Sequence, residues 1–253
     1  MPEQEAEWHC AIRSCRPSLY YIEAMPVNPL LMATALLTAC GQSPTPAHPA
    51  PARAAVNTPA LPIASDAVAE TVLVDPQSRD STIRVNARYA TANNFTGNPL
   101  PGYHAPRALL RREAAAALTR VQARLRPRGL GLLIFDGYRP VRATLSMVAW
   151  AERTGRIHLL NQGYIARRSR HNLGLAVDLT LAELGSGAEL DMGTPFDTFD
   201  EAAHTANAKG QVLRNRQVLV SAMEAEGFAN YDQEWWHFSY PVEGALPFDM
   251  PIR

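Results

Sequence analysis

One aspartate inside an otherwise apolar segment limits the folds that are open to this chain. Residues 173–181 read LGLAVDLTL, an alternating pattern that predicts a β-strand with Asp178 in its interior. An unpaired buried carboxylate is costly, so a fold that buries this strand must give Asp178 a metal or another polar partner.

Two further segments carry residues that could complete a metal site with Asp178. In the first, SRHN at 169–172, His171 precedes Asp178 by seven residues. In the second, EWWH at 234–237, Glu234 precedes His237 by three residues. Two imidazoles and one carboxylate are typical ligands of catalytic zinc, which keeps a fourth position for water. The sequence therefore predicts one Zn²⁺ per chain, bound by His171, Asp178 and His237.

Glu234 and Arg139 are the candidates for the chemistry at this metal. Zinc lowers the pKa of water from about 15.7 towards 7, and a nearby carboxylate that is not a ligand can transfer the proton to a leaving amine. Residues i and i+3 of an extended segment point to opposite faces, so Glu234 is predicted on a turn before a strand at 235–240. Arg139, in DGYRP at 136–140, is predicted to stabilise the oxyanion of a tetrahedral intermediate.

The cysteines and the net charge exclude other kinds of site. Cys10, Cys15 and Cys40 all lie in the first forty residues, so the rest of the chain contains no disulfide, thiolate metal site or cysteine nucleophile. The 24 basic residues balance 24 acidic ones, whereas nucleic-acid-binding proteins usually carry a basic excess. We therefore expect no nucleic-acid partner.

The first 66 residues are expected to direct and attach the protein rather than to fold. Residues 30–39 form an uncharged apolar run, shorter than the roughly 20 residues of a membrane-spanning helix but typical of a signal peptide. LTAC at 37–40 resembles the lipobox of bacterial lipoproteins, so Cys40 is a candidate lipid anchor within a leader of residues 1–40. Residues 41–66, rich in proline and alanine, predict a disordered tether. This places the protein in the periplasm or cell envelope, or in the cytoplasm if the leader is not functional.

The remaining residues, 67–253, are expected to form one α+β domain. The patterns predict strands at 70–74, 130–135, 173–181 and 235–240, and helices at 106–125, 141–154 and 212–226. Strands and helices are mixed without the regular alternation of βαβ units. We therefore expect a small mixed or antiparallel sheet flanked by helices, with the zinc site at the sheet.

These segments resemble the D-alanyl-D-alanine dipeptidases of the vancomycin-resistance type over about residues 72–251. The likeness is carried by residues 171–178, EWWH at 234–237, GYRP at 137–140, RYAT at 88–91, NFTG at 94–97, MGT-x-FD at 192–197 and FD at 248–249. The metal-ligand segments also occur in D,D-carboxypeptidases, phage endolysins and the Hedgehog signalling domain, whereas NFTG and MGT-x-FD favour the dipeptidases. The resemblance implies the same zinc ligands, Glu234 as general base and Arg139 as transition-state stabiliser.

The resemblance also implies how a substrate is held. Tyr89, Ser169 and Asp197 fall where these enzymes fix the dipeptide, with Asp197 and Tyr89 near its ammonium group. The expected activity is zinc-dependent hydrolysis of D-alanyl-D-alanine in cell-wall peptide metabolism.

Three alternatives stay open at this stage. One is a D,D-carboxypeptidase or another hydrolase of peptidoglycan stem peptides, and another is a structural, wall-anchored lipoprotein. The third is a zinc-bearing binding module, which Glu234 and Arg139 argue against because neither is needed merely to hold a metal. His204 is expected to be a surface residue.

Overall fold

A five-stranded mixed sheet lies at the centre of the fold in a computed structural model, which describes residues 62–253. In chain order the elements are α1 (Asp66–Val72), β1 (Leu73–Val74), β2 (Arg84–Val85), β3 (Leu110–Arg111), α2 (Arg112–Leu125), β4 (Leu130–Asp136), α3 (Val141–Arg153), α4 (Ile157–Asn161), β5 (Ala176–Glu183), α5 (Gly210–Glu224), β6 (Ala229–Tyr231) and β7 (Glu234–Ser239). The leader and nearly all of the tether lie outside the described residues.

The sheet has the strand order β2-β4-β5-β7-β6. β2 runs parallel to β4, and the other neighbouring pairs are antiparallel. β1 and β3 form a separate two-stranded antiparallel sheet. The prediction of an α+β domain with a small mixed sheet and flanking helices is therefore confirmed. Within residues 62–253, no helix has the length and apolarity required to span a membrane.

The prediction of a helix over 106–125 is wrong at its beginning. α2 starts at Arg112, because Leu110 and Arg111 are extended and pair with β1. Leu110 is fully buried in that pairing, so its place in the core does not depend on a helix. From Arg112 onwards the prediction holds, and the apolar positions Ala114, Leu118, Val121 and Leu125 form the buried face of α2.

The predicted strand at 70–74 is also only partly correct. Residues 70–72 are the end of α1, which begins at Asp66 after Ser65 caps it by accepting a hydrogen bond from the backbone N–H of Val68. The strand itself is limited to β1. The packed chain starts before residue 67, since the backbone N–H of Ala64 donates to the carbonyl of Pro247 at 2.9 Å.

β4 and α3 agree with their predictions, whereas the strand predicted over 173–181 begins only at Ala176, because residues 170–173 form a 3-10 helix. β4 and β5 are buried along almost their whole length, as expected for apolar segments at the centre of a sheet. α3 follows β4 after only four residues, 137–140, and this short connection holds Arg139. α5 ends near Gly227, whose φ of 90° favours glycine.

Candidate active site

Strand register brings three polar residues side by side across the sheet. Asp136 at the end of β4 lies opposite Asp178 in β5, and Asp178 lies opposite His237 in β7. Residues directly opposite each other in antiparallel strands have Cβ atoms about 4.5–5.5 Å apart. Positions separated by 42 and 59 residues in the sequence therefore become neighbours.

A short 3-10 helix, Arg170–Leu173, adds His171 to this row. Ser169 caps the helix, and its Oγ accepts a hydrogen bond from the backbone N–H of His171 at 3.2 Å. The Nδ1 of His171 lies 2.7 Å from the carbonyl oxygen of Gly137. A carbonyl can only accept, so Nδ1 carries the proton and Nε2 keeps a free lone pair.

Gly137 is required for this contact. A Cβ at Gly137 would lie 2.6 Å from the carbonyl oxygen of Leu109, which is too close for any side chain. Because the backbone at Gly137 can approach Leu109, its own carbonyl is fixed beside His171.

The donor atoms of His171, Asp178 and His237 lie within 4.8 Å of one another. His171 Nε2 is 3.2 Å from His237 Nδ1, and the two Asp178 oxygens are 3.3 Å and 2.9 Å from those nitrogens. Two nitrogens on a tetrahedral zinc ion, at about 2.0–2.1 Å from the metal, are roughly 3.3 Å apart. The donor set therefore fits a metal ion, and no second group of three such residues occurs within 62–253.

The electrostatics of the three residues also suit a cation. Burial raises the pKa of Asp178, but the charges and hydrogen bonds of His171 and His237 outweigh this effect and bring it well below its usual range. Burial lowers the pKa of His237. Asp178 thus stays ionised and His237 favours its neutral form, which are the protonation states that metal ligands require.

Glu234 lies beside this group without belonging to it. Its Oε2 is 3.9 Å from His237 Nδ1, and its side chain is buried. Burial, together with the negative charges of Asp178 and Asp197, raises the pKa of Glu234 well above its ordinary value. A carboxyl group with a raised pKa is suited to accept a proton and to donate it later.

The predicted position of Glu234 on a turn before the strand is wrong. Glu234 is the first residue of β7, and an irregularity in the strand brings it to the side of His237. Between Asn230 and Tyr231 of β6, the paired position on β7 moves from Phe238 to Glu234. The Asn230 amide holds this irregularity by donating to the carbonyls of Glu234 and His237, at 3.2 Å and 3.0 Å.

Arg139 is buried and held by carboxylates on one side of the site. Its Nε and Nη2 donate to Oδ2 of Asp136 at 3.0 Å and 2.8 Å, and Nη2 lies 3.7 Å from Asp178 Oδ2. The guanidinium carbon lies 5.0 Å from the centre of the Tyr89 ring. This places a fixed positive charge next to the metal-ligand group.

Asp136 is the residue that the sequence interpretation missed. It anchors Arg139 and accepts a 2.6 Å hydrogen bond from the hydroxyl of Tyr103. A signal was present, because Asp136 is a carboxylate at the end of an apolar strand, as Asp178 is within one. Burial raises the pKa of Asp136, and the positive charge of Arg139 opposes that rise.

Tyr89 and Asp197 form a second polar group on the wall of the cavity. The Tyr89 hydroxyl donates to Asp197 Oδ1 at 2.9 Å. The other oxygen, Oδ2, is the one buried side-chain N or O atom within residues 62–253 that has no hydrogen-bond partner. Burial raises the pKa of Asp197 to about 8, and the charge of Asp178 adds to the rise. An acceptor without a partner indicates that a donor from outside the chain belongs there.

A cavity of about 300 Å³ connects these groups. Its lining includes the metal-ligand group, Glu234, Arg139, Tyr89, Asp197 and Ser169. The remaining wall contains two arginines, several small or aliphatic residues and five aromatic residues. The arginines are Arg168 and Arg170, and the aromatic residues are Phe95, Tyr164, Phe199, Tyr231 and Trp236. This volume lies at the lower end of the roughly 300–1,000 Å³ range of small-molecule sites, so the cavity suits a small ligand.

His204 does not enter the cavity lining. It is half-buried, and its Nε2 lies 3.0 Å from the hydroxyl of Tyr164, which does line the cavity. The residues that the sequence predicts for the site all line this cavity.

Comparisons with known proteins match the chain over the part that carries this site. The model of a peptidase family, M15, described as D-Ala-D-Ala dipeptidase, matches residues 69–251. A D-alanyl-D-alanine dipeptidase of Streptomyces coelicolor is 39% identical over 189 residues, which cover 68% of this chain and 94% of the relative. One of Enterococcus faecium is 37% identical over 190 residues, 68% of this chain and 93% of the relative. One of Escherichia coli is 32% identical over 179 residues, 70% of this chain and 89% of the relative.

Proposed function

This chain belongs to the M15 peptidase family of D-Ala-D-Ala dipeptidases, and from that membership and its site we propose that it hydrolyses D-alanyl-D-alanine with one bound zinc ion. The observation that carries the proposal is the convergence of His171, Asp178 and His237 with the non-ligand Glu234 beside them. The protein is a metallopeptidase, and zinc is the metal that this donor set favours.

In the proposed mechanism Glu234 moves the proton. When bound, zinc supplies a Lewis acid that polarises the peptide carbonyl and makes water more acidic. Glu234 accepts a proton from the attacking water, and its buried position keeps the proton available for the next step. It then donates the proton to the amide nitrogen as the C–N bond breaks, which releases two molecules of D-alanine.

Arg139 is proposed to stabilise the negative charge that develops on the carbonyl oxygen. Its guanidinium is fixed by Asp136 before any substrate arrives, so no reorganisation is needed during the reaction. Its position next to Asp178 places the charge beside the metal-ligand group.

Asp197 and Tyr89 are proposed to bind the free ammonium group of the dipeptide. The partnerless Oδ2 of Asp197 can accept a hydrogen bond from it, and a cation nearby favours the ionised carboxylate. An N-acylated peptide supplies no such charge and would leave this buried acceptor unsatisfied, which is the kind of loss that yields strong discrimination. Ser169, whose Oγ already accepts from His171, offers a hydroxyl donor to the substrate.

Substrate preference tests the proposal against the alternative of a D,D-carboxypeptidase. The purified protein is expected to cleave free D-alanyl-D-alanine with a kcat/KM at least about 100-fold above that for an N-acylated tripeptide ending in D-alanyl-D-alanine. Hydrolysis is measured by release of D-alanine, with metal content determined on the same sample. Preference for the acylated tripeptide would replace the dipeptidase by a stem-peptide carboxypeptidase.

We further propose that the domain is held at the cell envelope through a lipid on Cys40. The support is the order of segments in the sequence: the apolar run at 30–39, the small residues before Cys40, and the Pro- and Ala-rich residues 41–66. All of these precede the matched residues 69–251. A cytoplasmic enzyme is the alternative.

Fractionation of bacterial cells that express the full chain tests the anchor. The wild-type protein is expected in the membrane fraction, and Cys40→Ala is expected to shift most of it to the soluble fraction because the acylated thiol is lost. Cys15→Ala serves as the matched control and should leave the distribution unchanged. Wild-type protein found in the cytoplasmic fraction would argue for the cytoplasmic alternative, and wild-type protein found free in the periplasm would argue against the lipid anchor.

A further inference from the structure

The segment that carries Asp197 has an unusual backbone conformation and no regular secondary structure that would fix it. It runs from Asp191 to the 3-10 helix Glu201–Ala203 without a strand or an α-helix. Asp197 has a φ of 63° and is the single non-glycine residue with positive φ within residues 62–253. Such a conformation persists only when the surroundings fix it. The hydroxyl of Tyr89 holds one oxygen of the Asp197 carboxylate, and the backbone of the segment needs contacts from outside as well.

Arg216 of α5 donates hydrogen bonds to backbone carbonyls on both sides of Asp197. Its Nε donates to the carbonyl of Met192 at 2.8 Å, on the N-terminal side. Its Nη1 and Nη2 donate to the carbonyls of His204 and Ala202 at 2.7 Å and 3.0 Å, on the C-terminal side. Arg216 is 1% exposed and forms no ion pair within residues 62–253, so its buried charge is satisfied by these three carbonyls.

Other residues of α5 also contact the same segment. The side-chain amide of Asn215 donates to the carbonyl of Asp191 at 2.8 Å. A Cβ at Gly193 would lie 2.7 Å from Cγ1 of Val212, so the loop backbone packs directly on the helix. On the other side, the indole N–H of Trp235, the residue after Glu234, donates to Thr194 Oγ1 at 2.9 Å. The segment is thus held between α5 and β7.

Burying an arginine carries a desolvation penalty, so the filling of space alone does not explain Arg216. An apolar side chain at this position of α5 would avoid the cost of desolvating a charge. What arginine adds is a rigid, planar set of donors that can hold several acceptors at once. Here those acceptors flank the one residue of the segment that has both strained φ and a partnerless buried oxygen.

We propose that Arg216 is a positioning residue for substrate selection, which holds Asp197 so that its free carboxylate oxygen meets the ammonium group of the dipeptide. The inference rests on the proposed function and extends it to a residue outside the cavity lining. Arg216 acts on the choice between free and N-blocked substrates, whereas Glu234 and the metal ligands act on bond cleavage.

The test compares D-alanyl-D-alanine with N-acetyl-D-alanyl-D-alanine in the metal-loaded enzyme. Arg216→Met, which removes the charge but keeps an extended side chain, is expected to lower the ratio of the two kcat/KM values about tenfold or more, mainly through a higher KM for the free dipeptide. Arg216→Lys should recover part of the ratio, because an ammonium can still reach some of the carbonyls. Asp197→Asn provides the reference for loss of the carboxylate charge, because its amide cannot ionise.

Arg214→Met is the matched control on the same helix. Arg214 is exposed and its guanidinium bonds only to Gln211 within the described chain, so the ratio should stay at the wild-type value. If Arg216→Met lowers kcat on both substrates equally and keeps the ratio, Arg216 is only structural and the proposal is overturned. The same holds if Asp197→Asn loses the ratio and Arg216→Met does not.

A second variant covers the case in which Arg216 substitutions do not fold. Asn215→Ala removes one hydrogen bond to the segment and is expected to lower the ratio in the same direction by a smaller factor. An unchanged ratio in folded Asn215→Ala would overturn the proposal. Failure of the dipeptidase assignment itself looks different, since the wild-type protein would then not cleave D-alanyl-D-alanine.

Discussion

Replacing Glu234 with alanine is expected to lower kcat for D-alanyl-D-alanine more than about 100-fold while the metal stays bound. The carboxylate lies outside the group of three donors, with its oxygen 3.9 Å from His237 Nδ1, so its loss removes no ligand. What is lost is the group that accepts the proton from water and returns it to the leaving amine. Kinetics and metal analysis on the same preparation measure both parts of the prediction.

Two further variants sharpen this experiment. Glu234→Gln keeps the shape of the side chain but cannot accept a proton as a carboxylate does, so it should be impaired as severely as the alanine variant. Glu243→Ala removes an exposed glutamate and should retain full activity. A fully active Glu234→Ala would show that the base is misassigned, and an inactive variant without metal would make Glu234 a ligand.

The polar residues of the site could be found from the sequence because burying them is costly. Asp178 stood out because it interrupts an apolar strand, and the same argument applied to Asp136 would have identified the partner of Arg139. The sequence could not give the register that aligns Asp136, Asp178 and His237, because register depends on pairing between distant strands.

Local sequence patterns predict a helix or strand well where its structure depends on the residues of that segment alone. β4 and α3 are such cases, with a continuous apolar run and a helical periodicity. The start of α2 was wrong because Leu110 pairs with Val74, a contact that helical spacing does not reveal. The position of Glu234 was wrong because the strand is irregular opposite Asn230, and strict alternation along β7 does not apply there.

The strained backbone at Asp197 is a feature that the family resemblance does not predict. The resemblance implied a role for Asp197, but no pattern in residues 192–197 predicts a positive φ or the need for Arg216. The three carbonyl acceptors become neighbours only when α5 packs beside the segment. Positioning residues of this kind lie outside motifs and emerge from hydrogen-bond geometry.

Replacing His171 with alanine is expected to abolish metal binding and to lower activity more than about 1,000-fold. Loss of a Lewis acid removes several kcal/mol of transition-state stabilisation, and each 1.36 kcal/mol corresponds to a factor of ten in rate. The wild-type protein should contain about one zinc ion per chain, and Zn²⁺ should restore activity after removal by a chelator. Metal content and kcat/KM are measured before and after chelation.

The variant also tests whether the three donors act as one site. Without His171, only Asp178 and His237 remain of the metal-ligand group. Two ligands do not hold zinc tightly, because zinc sites usually have at least three protein ligands. His158→Ala is the matched control, since His158 is exposed on α4 and lies outside the donor group, so zinc and activity should both stay. A His171→Ala protein that still carries a full complement of zinc would place the metal elsewhere and remove the basis for Glu234 as its base.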